Sequence, residues 1–223
     1  MTIPFAAFTI HLVVPMNETE FKFKKSQKAY FFFKRAIALF GSSLGIILLS
    51  PILIFAAIMT KCTSKGPVLF KQKRIGRNEK LFTLYKFRSM RVDAPQVAPS
   101  DIGKQEQKDM TTKWGRFMRK TSIDELPQLF NIFLGHMSFI GPRPGQDSAH
   151  EWDLYQARHN SNPSAYLVKP GLSGMAQIYL HRDHDPVKKA QCDSEYVKKI
   201  SFWTDLKLFV LSFMVLFGYD AGR

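Results

Sequence analysis

The sequence predicts an α+β chain, mainly helical and membrane-associated, on three observations. The run from Ala36 to Met59 carries no charge over 24 residues, and a membrane segment needs about 20 apolar residues. Around Gly76-Arg77-Asn78, apolar residues at 68–70 and 81–87 read as a short β-hairpin. Two further stretches, 126–134 and 202–217, have the spacing or composition of amphipathic helices. The expected architecture is an N-terminal apolar helix broken at Ser50-Pro51, a hairpin and interfacial amphipathic helices.

The apolar run comes first. Pro51 removes a helical hydrogen bond and its ring presses on the carbonyl one turn back, so a bend is expected over Ile47–Pro51. The Ser50 hydroxyl is placed to satisfy a backbone group freed there. Lys22, Lys24, Lys25, Lys28, Lys34 and Arg35 precede the run, and residues 61–91 follow it with ten Lys/Arg and Glu79 as the only acid. Lys and Arg concentrate on the cytoplasmic side of membrane segments, so both flanks read as cytoplasmic. The residues alone leave two readings open, a kinked spanning helix and one that turns back to the same face. Met1–Pro15 is apolar but lacks the basic opening of a secretory signal peptide, and nothing in it assigns a role.

Beyond the hairpin, residues 93–112 are polar and proline-bearing and read as a surface loop. Asn160–Pro163 and Lys169-Pro170-Gly171 mark turns. Phe202–Phe217 is aromatic-rich but interrupted by Asp205 and Lys207, and is short for a span. It fits an interfacial helix or a core helix. Cys62 and Cys192 have no metal-ligand spacing and suit a reducing compartment. The chain carries 32 Lys/Arg against 18 Asp/Glu, a net charge of +14, which implies an anionic partner without choosing among nucleic acid, lipid head groups and phosphorylated substrates.

The main chemical candidate is the pair Asp124-Glu125. Leu126, Leu129, Phe130, Phe133 and Leu134 follow helical spacing, and Ser122 with Glu125 matches a capping box. Pro127 weakens that reading. With Ser122 as N-cap its ring meets the carbonyl of Ile123; with Asp124 as N-cap it falls in the first turn, where no N–H is needed. The Asp124 carboxylate is then partly uncommitted near the positive end of a helix dipole. An acidic pair among cations suits a divalent metal or attack on phosphate, and a simple cap remains the competing reading. Arg119 lies just upstream. Arg143, held between Pro142 and Pro144, has the planar fork that matches phosphate oxygens, or is a solvated turn residue. Lys86 and Arg88 put two cations on one side of the second hairpin strand, or form a solvated strand edge.

Taken together, the segments resemble the bacterial sugar transferase family, in its small, monotopic, polyprenol-phosphate phosphoglycosyl transferase form. The resemblance rests on Lys34-Arg35 with the apolar run and Ser50-Pro51, GPVLFKQKRIG at 66–76, LYKFRSM at 84–90, GRFMRKTSIDELPQLFNIF at 115–133, GHMSFIGPRP at 135–144 and KPGLSGMAQI at 169–178. These cover about residues 34–211 in the family's order. His136 stands where the family usually has Asp, Met175 where Trp is common, and Met110 at a position that is often Arg. The N-terminal 30 or so residues have no counterpart in the smallest members, and the multi-span region of larger members is missing.

The resemblance implies residues 1–33 as an extension of unknown role, 34–60 as a re-entrant membrane helix, and 61–223 as a cytoplasmic catalytic domain at the bacterial inner membrane. It implies Asp124 as a nucleophile toward the sugar-linked phosphorus of a UDP-sugar, with UMP released and polyprenol (undecaprenyl) phosphate as acceptor. Glu125 is implied as the Mg²⁺ ligand, and Lys86, Arg88, Arg119 and Arg143 as phosphate-binding cations. Expected partners are the UDP-sugar, polyprenol phosphate, anionic membrane lipids and downstream glycosyltransferases. Nucleic acid is not expected, because the apolar run opposes it and no nucleic-acid motif is present. A non-enzymatic basic membrane protein is the alternative from another class.

Overall fold

The computed structural model describes residues 21–91, 110–146, 151–181 and 183–216. Residues 1–20 and most of the loop expected at 93–112 lie outside them. The apolar run forms two helices, α1 (Lys25–Leu48) and α2 (Ser50–Thr63), with the break at Leu49. Pro51 sits in the first turn of α2, where its missing N–H costs nothing, and Ser50 Oγ donates to the Ile47 carbonyl at 2.7 Å. The expected break in the helix and its hydroxyl partner are both present. α1 starts before position 34, so residues 25–33 are continuous with the apolar run rather than separate from it.

α1 has two unlike faces. Ala38, Gly41, Ser42 and Gly45, at i, i+3, i+4 and i+7, lie against the rest of the protein. A Cβ on Gly41 would stand 2.9 Å from the Phe139 ring, and one on Gly45 3.4 Å from Leu129. Ala38 and Ser42 are buried, whereas Phe33, Phe40, Ile47 and Leu48 are exposed. Both ends of the helix pair are tied to the same body. Lys34 Nζ donates to the Ile140 carbonyl at 2.8 Å and pairs with Asp205 at 2.6 Å. Arg35 donates to the carbonyls of Ile132 and Phe133. At the far end Thr60 is buried, and its hydroxyl accepts from Trp114 Nε1.

The hairpin is β1 (Leu69–Ile75) against β2 (Leu81–Phe87), in register from Leu69↔Phe87 to Ile75↔Leu81. Asn78 and Glu79 take left-handed backbone at the turn. α3 (Lys113–Lys120), capped by Thr112, leads to a 3-10 turn at Ile123–Glu125 and then to the short α4 (Gln128–Phe133). β3 (Ser138–Ile140) pairs in parallel with β5 (Gly171–Ser173), and β4 (Gly145–Gln146) adds to β1. α5 (Trp152–His159), α6 (Met175–Tyr179), α7 (Pro186–Lys199) and α8 (Phe202–Leu216) complete the body. Among the described residues, Ile140, Val168, Ile178, Tyr196, Val197, Ile200 and Leu208 form the largest core cluster.

One expectation about helix faces is corrected. The stripe Leu126–Leu134 does not face inward as a unit: Leu129 is buried, but Phe130, Phe133 and Leu134 are exposed. The inward face is Gln128, Leu129, Asn131 and Ile132, because Asn131 has a polar partner inside. Its side chain donates to the Thr83 carbonyl at 2.7 Å and accepts from Tyr85 N–H at 3.0 Å, bonding α4 to the edge of β2. α8 packs one face into the core, as the core-helix reading has it, and leaves the other exposed. Leu208 and Asp205 are buried, while Trp203, Val210 and Phe213 are exposed.

Candidate active site

The 3-10 turn that carries Asp124 and Glu125 stands beside β2. Ser122 is left-handed (φ 57°) and makes no side-chain cap, so the capping box is absent. Asp124 is not an N-cap either. It lies inside the 3-10 turn, and α4 begins only at Gln128 with Pro127 as its N-cap. The physical reason is Pro127: a 3-10 turn closing at Leu126 lets the chain reach the proline without the clash an α-helix would impose. Both carboxylates are thereby free of helix-capping duty.

Lys86 Nζ donates to Glu125 Oε1 at 2.6 Å. Glu125 Oε2 has no hydrogen-bond partner among the described residues. A cleft of about 730 Å³ holds the expected residues together: Asp124, Glu125, Lys86, Arg88, Arg119 and Arg143 all line it. That volume is within the usual range of small-molecule sites. Its floor is built by close backbone contact. A Cβ on Gly115 would overlap the Ser89 carbonyl oxygen, so α3 sits directly on the chain leaving β2. This lets Arg119 Nε donate to Ser89 Oγ at 2.8 Å. In the same way Gly141, Gly171 and Gly174 leave no room for side chains between the Gly141–Pro144 loop and β5. Behind that loop the buried pair Arg158–Asp193, at 2.6 Å, anchors the Arg143 carbonyl through Arg158 Nη1.

Electrostatics distinguish the two acids. Burial raises the pKa of Asp124, with a further push from Glu125, against Lys86 and Arg119. Burial also pushes Glu125 up, but Lys86 and Arg143 outweigh it and hold that carboxyl below the usual range. Arg119 is pushed down by burial and partly restored by Asp124. Arg88 is only 8% exposed; its Nη2 donates to the Ser64 carbonyl, whereas Nε and Nη1 have no partner. A buried cation with two idle donors is costly unless an anion completes it. The solvated-edge reading of Lys86 and Arg88 therefore fails.

The same cleft is lined by residues the sequence reading did not single out: Gln72, Arg74, Ser89, Gln146 and Glu151. Arg74 is buried, and burial, opposed by Glu151 and reinforced by Arg143, pushes its pKa down to about 10. It was hidden in the basic run Lys71–Arg74, where side-chain alternation was the one available signal. Among the described residues no group of three or more His, Cys, Asp or Glu is arranged to hold a metal.

The family described as bacterial sugar transferase matches residues 29–219. The chain is 40% identical over 190 residues to the UDP-glucose:undecaprenyl-phosphate glucose-1-phosphate transferase of Klebsiella pneumoniae, covering 81% of this chain and 39% of that protein. It is 37% identical over 201 residues to the UDP-N-acetylgalactosamine-undecaprenyl-phosphate N-acetylgalactosaminephosphotransferase of Aeromonas hydrophila, covering 86% and 45%. With the exopolysaccharide production protein PSS of Rhizobium leguminosarum bv. phaseoli it shares 38% identity over 182 residues, covering 78% and 90%. The chain thus spans less than half the length of the first two relatives. With the ordered motifs folded around one cationic cleft and matched over most of their length, the chain belongs to the bacterial sugar transferase family.

Proposed function

We propose that this chain transfers a sugar-1-phosphate from a UDP-sugar to polyprenol phosphate at the cytoplasmic face of the bacterial inner membrane, as a first membrane step of surface polysaccharide assembly. The observation that carries the reading is the grouping of a buried, uncapped Asp124 with Glu125 and four cations in one cleft. In the first step an Asp124 carboxylate oxygen attacks the sugar-linked phosphorus, and the bond from that phosphorus to the bridging oxygen breaks, releasing UMP. In the second, a phosphate oxygen of polyprenol phosphate attacks the same phosphorus. The aspartyl–phosphorus bond breaks, giving polyprenol-diphosphate-sugar and free Asp124. Splitting the transfer in this way replaces one difficult step by two easier ones. Lys86, Arg88, Arg119 and Arg143 bind the diphosphate and neutralise charge that develops on the leaving oxygen.

Mg²⁺ fits this site, since the free Glu125 Oε2 offers a hard oxygen ligand and Mg²⁺ commonly takes one or two carboxylates plus substrate phosphates. Bound there through Glu125, it would supply further neutralisation of the diphosphate. The relatives named above differ in the sugar they are named for, so family membership does not choose the sugar.

The helix pair supports re-entrant insertion. Between Arg35 and the break, the apolar part of α1 is thirteen residues, about 20 Å at about 1.5 Å per residue. That falls short of the roughly 30 Å hydrocarbon core. The arm of α2 up to Met59 is shorter still. With Arg35 and Thr60 both tied to the same body, a hairpin entering and leaving one face satisfies the geometry. Exposed Trp203, Phe209 and Phe213 of α8 extend the apolar surface, and the basic flanks suit anionic lipid head groups.

The test uses purified full chain with radiolabelled UDP-sugars, Mg²⁺ and undecaprenyl phosphate. Labelled lipid should form with at least one donor and vanish with Asp124→Ala. Absence of labelled lipid with every donor, or full activity of the variant, refutes the reading. Cysteine labelling at positions 30 and 64 should place both on the cytoplasmic side.

A further inference from the structure

We infer that the hydrogen-bonded row Gln72–Gln146–Glu151, on one wall of the cleft, is the subsite that reads the hydroxyl groups of the donor's sugar. The inference rests on the proposed transfer reaction and adds to it the residues that choose among sugars.

The row has a fixed polarity. Arg74 Nε and Nη2 both donate to Gln72 Oε1, at 3.1 and 2.8 Å. Gln72 Nε2 donates to Gln146 Oε1 at 3.2 Å. Gln146 Nε2 donates to Glu151 Oε1 at 3.0 Å, and Gln146 N–H to Glu151 Oε2 at 2.7 Å. A guanidinium can only donate and a carboxylate can only accept. The two ends therefore dictate the orientation of both amides, and neither can flip without setting like groups against each other.

The unused valences of this row suit hydroxyl groups. Each amide nitrogen has a second N–H, and each Glu151 oxygen has a further lone-pair site. A sugar hydroxyl is at once donor and acceptor, so a wall with both kinds of site in fixed places matches a particular arrangement of hydroxyls. A diphosphate offers only acceptors and negative charge, and Glu151 would repel it. The cations grouped around Asp124 and Glu125 serve that part of the donor. Among the described residues Glu151 is the one acid besides that pair lining the cleft, so the wall departs in chemistry from the phosphate-binding end.

Position selects the sugar over the base. The row begins at Arg74, which is electrostatically coupled to both Arg143 and Glu125, so it adjoins the reacting carboxylate pair. The sugar is the group bonded to the phosphorus that Asp124 attacks, whereas the base is separated from it by the ribose and the other phosphate. A site that bonds specific hydroxyls discriminates strongly, since the wrong epimer leaves its polar groups unpaired.

The experiment compares native chain with Glu151→Gln and Gln146→Leu in detergent micelles with undecaprenyl phosphate. It measures kcat/KM for UDP-glucose, UDP-galactose and their N-acetylated counterparts, and inhibition by UMP. The variants should lower kcat/KM for the preferred sugar by about tenfold to hundredfold, the loss expected for hydrogen bonds involving a charged group. They should compress the ratio between preferred and poorer sugars, with UMP inhibition changed less than about twofold. Unchanged UMP inhibition also shows that a variant is folded. If all sugars fall in proportion, the row only braces the wall and the inference is wrong. If UMP inhibition weakens together with every donor, the row reads the nucleotide and the inference is again wrong. A native chain inactive with every donor refutes the transfer reaction itself, before any variant is considered.

Discussion

Replacing Asp193 by Ala is expected to be among the most damaging single changes outside the cleft. Asp193 and Arg158 are 1% and 3% exposed at their side chains. One oxygen, Oδ2, accepts from both Arg158 Nε at 2.9 Å and Nη2 at 2.6 Å, and the remaining arm holds the Arg143 carbonyl at 2.9 Å. Removing the carboxylate leaves a guanidinium buried without its counter-charge, which typically costs about 3–5 kcal/mol. Domains of this size are stable by only about 5–15 kcal/mol. With a urea dependence of about 2 kcal/mol per molar, a 4 kcal/mol loss moves the midpoint down by about 2 M. The double variant Arg158→Met/Asp193→Leu removes both charges and should recover most of that shift, since apolar replacement of a buried pair is often neutral or better. It should not restore full activity, because the Arg143 carbonyl loses its donor. Urea unfolding of the three proteins is the assay. A midpoint shift under about 0.5 M for Asp193→Ala, about 1 kcal/mol at that same slope, refutes the buried-charge reasoning. A double variant no more stable than the single refutes the unpaired charge as the source.

Other changes test the site and its placement. Lys86→Met removes the largest cationic influence on both acids, so both protonate at higher pH. The acid limb of the pH–rate profile should move upward, and an unmoved limb contradicts the pairing. Native Glu125 is held below its unfolded range, so its stabilisation is present above that range and lost as pH falls through the folded value; Lys86→Met should weaken that acid-side dependence in unfolding measured against pH. Gly115→Ala drives a methyl into the Ser89 carbonyl and should cost about 3 kcal/mol or more, read as a lowered melting temperature. Ile47→Asp and Ile54→Asp alter side chains that are 67% and 60% exposed. They should leave unfolding in detergent unchanged, yet each should weaken vesicle flotation by about a hundredfold, given roughly 3 kcal/mol for a charge in the membrane interior. Undiminished flotation would argue against insertion of the helix pair.

Sequence alone settled whatever depends on neighbours along the chain. The break at Ser50-Pro51, the Gly76–Asn78 turn and the second hairpin strand follow from local sterics and are where the residues place them, whereas β1 runs past the expected 68–70 to Ile75. The grouping of Asp124, Glu125, Lys86, Arg88, Arg119 and Arg143 was also legible, though through the resemblance of ordered motifs rather than through spacing. Tertiary structure decided the rest, because packing can override a local pattern. Leu126–Leu134 has the period of an inward stripe, yet Asn131 takes the interior through its bonds to β2, turning Phe130 and Phe133 outward. Ser122 and Glu125 have the letters of a capping box, yet Pro127 and the Lys86 ion pair commit the segment to a 3-10 turn. The row from Arg74 to Glu151 joins residues 77 positions apart (151 − 74). No reading along the chain could have assembled it, since its polarity exists only once β1, β4 and the start of α5 stand side by side.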